Sequence, residues 1–139
     1  MAAAQNIIIW KEEYKLGIKE IDEQHQKMFT IINDLYHAMQ ESKDKEIMQA
    51  TLRELVEYAD YHFSVEEKYF AEFKYEDTEA HIKTHEDYRE TIDGFMKEYE
   101  AGDALLSYKI LNYLEDWWIG HILGTDKQYV ECFKKNGVI

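Results

Sequence analysis

No proline interrupts this chain of 139 residues, and its apolar side chains recur every three or four positions through four long runs. Proline breaks helix interiors, so without it only glycines and polar stretches can end a helix. A three-four stripe marks a helix with one buried face. The first run predicts a helix over 18–41, with Ile21, Met28, Phe29, Ile32, Leu35, Tyr36 and Met39 inward. A polar turn at 41–45 leads to a second helix over 46–73, burying Leu52, Leu55, Val56, Ala59, Phe63 and Phe70. After a break at 74–78, where Asp77 or Thr78 could cap the next element, a third helix covers 79–99. It presents Tyr88, Ile92, Phe95 and Tyr99 inward, and Ala101-Gly102-Asp103 ends it. The fourth runs over 104–129, with Ile110, Leu114, Trp117, Trp118 and Ile122 inward. Four amphipathic helices on short loops predict an all-α, up-down-up-down four-helix bundle. Residues 6–17 read as an extended N-terminal arm laid over it, because Ile7, Ile8, Ile9 and Trp10 need cover.

The length suits a single domain, residues 1–139, with a real core. The formal charge of −13 repels phosphate backbones and anionic lipid, so neither nucleic acid nor a membrane is expected as a partner. An aromatic content of 14% argues against disorder. The single cysteine, Cys132, excludes an intrachain disulfide, suits a reducing compartment and reads as a packing residue. Residues 1–10 lack the basic start and apolar run of a signal peptide, and no segment reaches the roughly 20 apolar residues of a spanning helix. A cytoplasmic monomer is expected.

Polar residues punctuate the inward stripes. His62 and Glu66 are one helical turn apart, as are His81 and His85. His25 lies four after Ile21 and four before Phe29, and His121 and Asp126 close the set. His37, twelve positions from His25, falls about 120° round the helix and reads as a surface histidine. A lone histidine on an apolar stripe is usually a satisfied core residue, and a lone His/Glu pair is usually solvated. Five buried imidazoles with Glu66 and Asp126 are another matter. Each buried polar group without a partner costs about 1–3 kcal/mol, and a bare carboxylate costs more. One metal could not use seven such ligands, but two metals sharing bridging carboxylates could. Imidazole and carboxylate without thiolate suit iron and are no structural zinc pattern, while manganese and zinc stay open by ligand type.

The chain resembles the haemerythrin family, and within it the bacterial haemerythrins, over nearly its whole length. The residues that carry the resemblance are Trp10, Gly17-Ile18, Ile21-Asp22-Glu23-Gln24-His25, His62-Phe63-Ser64-Val65-Glu66-Glu67, His81-Ile82-Lys83-Thr84-His85 and the run from Trp117 to Asp126. It implies a di-iron site bridged by oxo or hydroxo: His81, His85 and His121 on one iron, His25 and His62 on the other, Glu66 and Asp126 across both. The open position is implied on the two-histidine iron, where O2 binds reversibly. Its wall is expected from Ile21, Phe29, Leu55, Phe63, Trp118 and Ile122. The family usually carries leucine three residues before its last histidine ligand; Trp118 stands there instead and is expected to narrow or gate the pocket, whereas Trp117 reads as plain packing.

His121 and Asp126 are five apart, about 140° on an ideal helix, so both can reach one metal pair only if the chain is locally widened. A π-type bulge or loosened turn is therefore predicted near 120–125. Gln24, Glu67 and Tyr88 are candidates to hold the imidazole N–H groups that face away from metal. Oxidases and ferritins use carboxylate-rich sites; five neutral imidazoles support high-valent iron less well, and an apolar wall offers few protons. That favours an oxygen carrier, store or delivery protein, with no catalytic residues and with azide and nitric oxide as further candidate ligands. The alternatives are an O2 or redox sensor, a di-iron oxidase, peroxidase or nitric-oxide-handling site, and an iron store. The stand-alone reading of the chain disfavours the sensor. A redox or oxygenase protein is a candidate partner.

Overall fold

The computed structural model describes residues 6–41, 45–100 and 106–138. Four helices dominate it: Lys19–Gln40 (α1), Lys45–Phe73 (α2), Thr78–Glu100 (α3) and Leu106–Gly120 (α4). Successive helices are separated by four, four and five residues, spacings that suit antiparallel neighbours. α1 packs on α2 and α4, and α3 on the same two, which closes the ring of an up-down-up-down bundle. Among the described residues there is no strand, and no helix is long and apolar enough to cross a membrane. The expected stop at Ala101-Gly102-Asp103 and the expected start of the fourth helix at 104 lie outside the described residues, as do residues 42–44 of the first turn.

The fourth rod departs most from the expected outline. Regular helix ends at Gly120, His121–Thr125 forms a π turn and Asp126–Tyr129 a 3-10 turn; a short helix, Val130–Lys135 (α5), completes the chain. The predicted widening thus occurs at the predicted place. Neither glycine in this stretch is needed for space, since a Cβ at Gly120 or Gly124 would meet nothing within 4 Å.

Helix ends are settled by the backbone. Past α2, Lys74 takes a positive φ of 53° and the Tyr75 N–H donates to Phe70 O at 3.0 Å, the six-to-one bond of a Schellman stop. Gly137, at φ 81°, ends α5 the same way, with Val138 N–H on Phe133 O at 3.1 Å. Thr78 does not cap α3 with its side chain, because its hydroxyl points back to Tyr75 O at 2.6 Å. The Asp77 carbonyl accepts the His81 N–H at 3.0 Å.

The arm makes a 3-10 turn at Glu12–Tyr14 where an extended run was expected, and near its start it is tied to α1 by the Asn33 amide. Asn33 Oδ1 accepts the N–H groups of Ile7 and Ile8 at 3.0 and 3.1 Å, and its Nδ2 donates to Ile8 O at 2.8 Å. This mimics the pairing of an edge strand and alternates the side chains: Ile8 is buried, whereas Ile9 is 63% exposed. The expectation that all three isoleucines need cover therefore fails at Ile9, since an extended segment shows successive side chains to opposite faces. At the arm's end the buried Asp22 carboxylate accepts the N–H groups of Leu16 and Gly17 at 2.8 and 3.1 Å. Gly17 turns there at φ 87°, a conformation glycine adopts without strain.

Two apolar blocks fill the bundle. The larger contains Phe29, Leu35, Leu55, Phe63, Tyr88, Leu114, Trp118 and Ile122. The smaller contains Leu16, Ile18, Ile21, Phe70, Tyr75, Tyr129 and Phe133, with Cys132 half-buried against it. Along every rod the histidines and acids fall between these blocks, forming one polar layer across the interior.

Candidate metal centre

Helix α1 supplies His25 to this layer, α2 His62 and Glu66, α3 His81 and His85, and the irregular end of the fourth rod His121 and Asp126. All seven are buried, His121 being the most exposed at 5%. Their ligand atoms meet. His81 and His121 place Nε2 3.1 and 3.0 Å from Asp126 Oδ1, while His25 Nε2 lies 3.2 Å from Asp126 Oδ2. Glu66 Oε1 sits 3.4 Å from His62 Nε2 and 3.2 Å from His85 Nε2. The atoms form two groups able to hold a cation: His81, His85 and His121 with Glu66, and His25 and His62 with Glu66 and Asp126. Each carboxylate faces both groups. The π turn makes this possible, because one extra residue per turn swings Asp126 back toward His121.

The donor set fits a pair of cations. Nε2 of His81, His85 and His121, Oε1 of Glu66 and both oxygens of Asp126 are buried without a hydrogen-bond partner. Groups in that condition cost about 1–3 kcal/mol each unless something binds them. Burial holds His62 down to about 3, and holds His85 down to about 3 despite the opposing Glu67 hydrogen bond, so both rings are neutral at pH 7. Burial would raise Asp126, but the charge and hydrogen bond of His121 outweigh it and keep the carboxyl well below its ordinary range, while Asp126 in turn raises His121 despite its burial, so that a cation binding here would displace the proton the two share. Neutral imidazoles and ionised carboxylates are the states that coordinate.

Behind the ligands stands a set of orienting contacts. His62 Nδ1 is 2.7 Å from Gln24 Oε1, and His85 Nδ1 is 2.9 Å from Glu67 Oε2. Both acceptors require the Nδ1–H tautomer, which leaves Nε2 free for metal. Tyr88 does not join them; its oxygen accepts the Trp118 indole N–H at 3.2 Å. Two contacts went unread in the sequence. Tyr129 donates its hydroxyl to Glu66 Oε2 at 2.5 Å, and burial, with the charges of Glu66 and Asp126, raises its pKa well above the usual phenol value, so it stays a donor. Trp117, expected to be plain packing, stacks on His121 with centroids 4.2 Å apart. Its four-residue spacing from His121 was the available signal.

A family model described as "Hemerythrin HHE cation binding domain" matches residues 16–133. The chain belongs to the haemerythrin family. It is 32% identical to a bacteriohemerythrin of Clostridium acetobutylicum over 130 residues, covering 90% of this chain and all of that one. It is 31% identical to a myohemerythrin of Theromyzon tessulatum, over 86% of this chain and 88% of the relative. A wild-type hemerythrin crystal structure superposes with a TM-score of 0.83 at 26% identity, covering 91% of this chain and 97% of the other.

Within this haemerythrin fold the six apolar side chains expected around the open position are all buried, but not together. Phe29, Leu55, Phe63, Trp118 and Ile122 belong to the larger block, whereas Ile21 lies in the smaller one, across the polar layer. Trp118 packs beside the two-histidine group, its ring centroid 5.8 Å from that of His62 and 6.3 Å from that of His25. Phe63 stacks face to face on His85 at 3.8 Å, on the three-histidine side.

Proposed function

We propose that this chain binds O2 reversibly at two iron ions held by His25, His62, Glu66, His81, His85, His121 and Asp126, as an oxygen carrier, store or delivery protein. The observation that supports it most is that the buried ligand atoms fall into two groups, three histidines on one side and two on the other, with Glu66 in both and Asp126 facing both. The three-histidine group has the fuller donor set, so the two-histidine group is where a ligand would enter. When bound, the iron pair supplies two electrons to O2 and takes them back on its release.

The chain's own residues do the rest. Gln24 and Glu67 fix two imidazoles in the donating tautomer, and Tyr129 holds the second oxygen of Glu66. Trp118, Phe29, Leu55 and Ile122 cover the layer from the larger block and keep water from it. An apolar wall without acidic protons favours release of O2 over its reduction. Trp118 spends its indole N–H on Tyr88, so it presents hydrocarbon to the two-histidine side. On this reading residues 1–139 form one domain, and the single half-buried Cys132 suits a reducing compartment such as the cytoplasm.

The experiment is anaerobic reduction of the iron-loaded protein, admission of O2, then its removal under vacuum. A visible band that appears with O2 and vanishes with it is the expected result. Conversion to the ferric form that O2 removal does not reverse would reject a carrier and favour a redox sensor or an oxidase.

A further inference from the structure

On the reading that these side chains hold an iron pair, we propose that Arg89 is a positioning residue that sets the redox balance of the pair through Glu67, the carboxylate bonded to the His85 nitrogen that faces away from the metal. Arg89 lies four residues after His85 on α3. Its Nε donates to Asp60 Oδ1 on α2 at 2.9 Å, which fixes the plane of the guanidinium. From there Nη2 lies 3.8 Å from Glu67 Oε2, and the guanidinium carbon sits over the Phe63 ring, 5.2 Å from its centroid. Glu67 Oε2 is the atom that accepts from His85 Nδ1, and Phe63 is the ring stacked on His85 at 3.8 Å with a 10° tilt. One cation therefore touches both the hydrogen-bond partner and the stacking partner of a single ligand.

A carboxylate bonded to the N–H of a ligand imidazole draws on that proton and makes the ring a stronger donor, which favours the ferric state. A guanidinium beside the carboxylate draws charge the other way. Arg89 thus limits how much of the anionic character of Glu67 reaches His85. The Glu67 side chain is 26% exposed and that of Arg89 38%, so solvent screens the effect and keeps it modest. Arginine suits the task better than lysine because its flat, forked head can serve Asp60, Glu67 and a ring face together.

The test uses the full-length, iron-loaded protein, poised at fixed potentials with redox mediators, and reads the ferric fraction. Arg89→Gln is expected to raise the ferric-to-ferrous ratio about three- to fivefold, and Arg89→Lys, which keeps the charge, to return most of that change. In a Glu67→Gln background, Arg89→Gln should change the ratio little, because the group it acts through is gone. A second reading needs no iron: in the metal-free protein the His85 Nδ1–H proton resonance should move downfield in Arg89→Gln, as Glu67 becomes the stronger acceptor. Thermal unfolding of each variant shows whether it is folded. Wild-type protein that takes up no iron would overturn the reading of the site and leave the resonance test standing. Folded Arg89→Gln protein with an unchanged ratio and resonance, or effects that simply add in the double variant, would overturn the role given to Arg89.

Discussion

Replacing Tyr129 by phenylalanine removes one oxygen from the interior and leaves the packing in place. The ring would keep its stack on Phe133 at 4.4 Å and its contacts with Phe70 and His81. What goes is the 2.5 Å hydrogen bond to Glu66 Oε2, between two fully buried groups. Hydrogen bonds to charged groups contribute about 1.5–3 kcal/mol, and here the loss leaves a buried carboxylate oxygen bare. About 2 kcal/mol is expected in the metal-free protein. For a chain of 139 residues that corresponds to a fall in melting temperature of about 6–10 °C. Bound metal would hold the same carboxylate, so the loss should be smaller in the loaded protein. Circular-dichroism melts of both forms at pH 7.5 make the comparison. Tyr69→Phe is the control, since its 3.0 Å bond to Glu20 lies at the surface and should be worth no more than about 0.5 kcal/mol. Metal-free Tyr129→Phe that melts within about 1 °C of wild type would show that Glu66 does not depend on this hydroxyl.

Trp118→Leu should speed conversion of the O2-loaded protein to the ferric form, because it opens space beside His25 and His62; decay of the O2-dependent band in air measures it, and an unchanged rate would remove Trp118 as a barrier. Metal-free protein should lose stability as the pH falls from about 6.5 towards 3, since unfolded histidines protonate in that window while His62 and His85 stay neutral, and these two outweigh His121, whose raised pKa acts in the opposite direction. Urea midpoints at pH 7.5 and 5 test the sign; equal midpoints would contradict it. Lys74→Gly should stabilise the protein by about 1 kcal/mol, because glycine takes the left-handed turn after α2 at lower cost than lysine; a melting temperature that does not rise would mean that the lysine side chain contributes more than its backbone costs.

Most of the bundle was legible because apolar periodicity is a local signal, and the helix pattern reports it turn by turn. His62 with Glu66 and His81 with His85 were visible for the same reason, each pair one turn apart. The π turn could be anticipated from an incompatibility alone: His121 and Asp126 cannot share a target at their spacing on a regular helix. Contacts between distant segments left no such trace. Tyr129 meets Glu66 across 63 positions, and nothing in either neighbourhood announces it. Asp22 stood in the Ile21–His25 stretch that carries the resemblance, but its work of satisfying the N–H groups of Leu16 and Gly17 appears only when the arm folds back. Ile21 was expected in the pocket wall with residues of the larger block, but it lies one turn before His25 and packs in the smaller one. A stripe gives direction, not height.

The π turn at His121–Thr125 also works as a phase shifter. Everything after it inherits its rotation, so Asp126, Tyr129 and Phe133 reach the interior as a unit: a carboxylate, the phenol that supports its counterpart, and the ring that packs beneath that phenol. Shortening the segment by one residue would turn all three outward together, while α4 and His121 kept their places. A single codon thus separates a chain that can close this cluster from one that can only build the bundle around it.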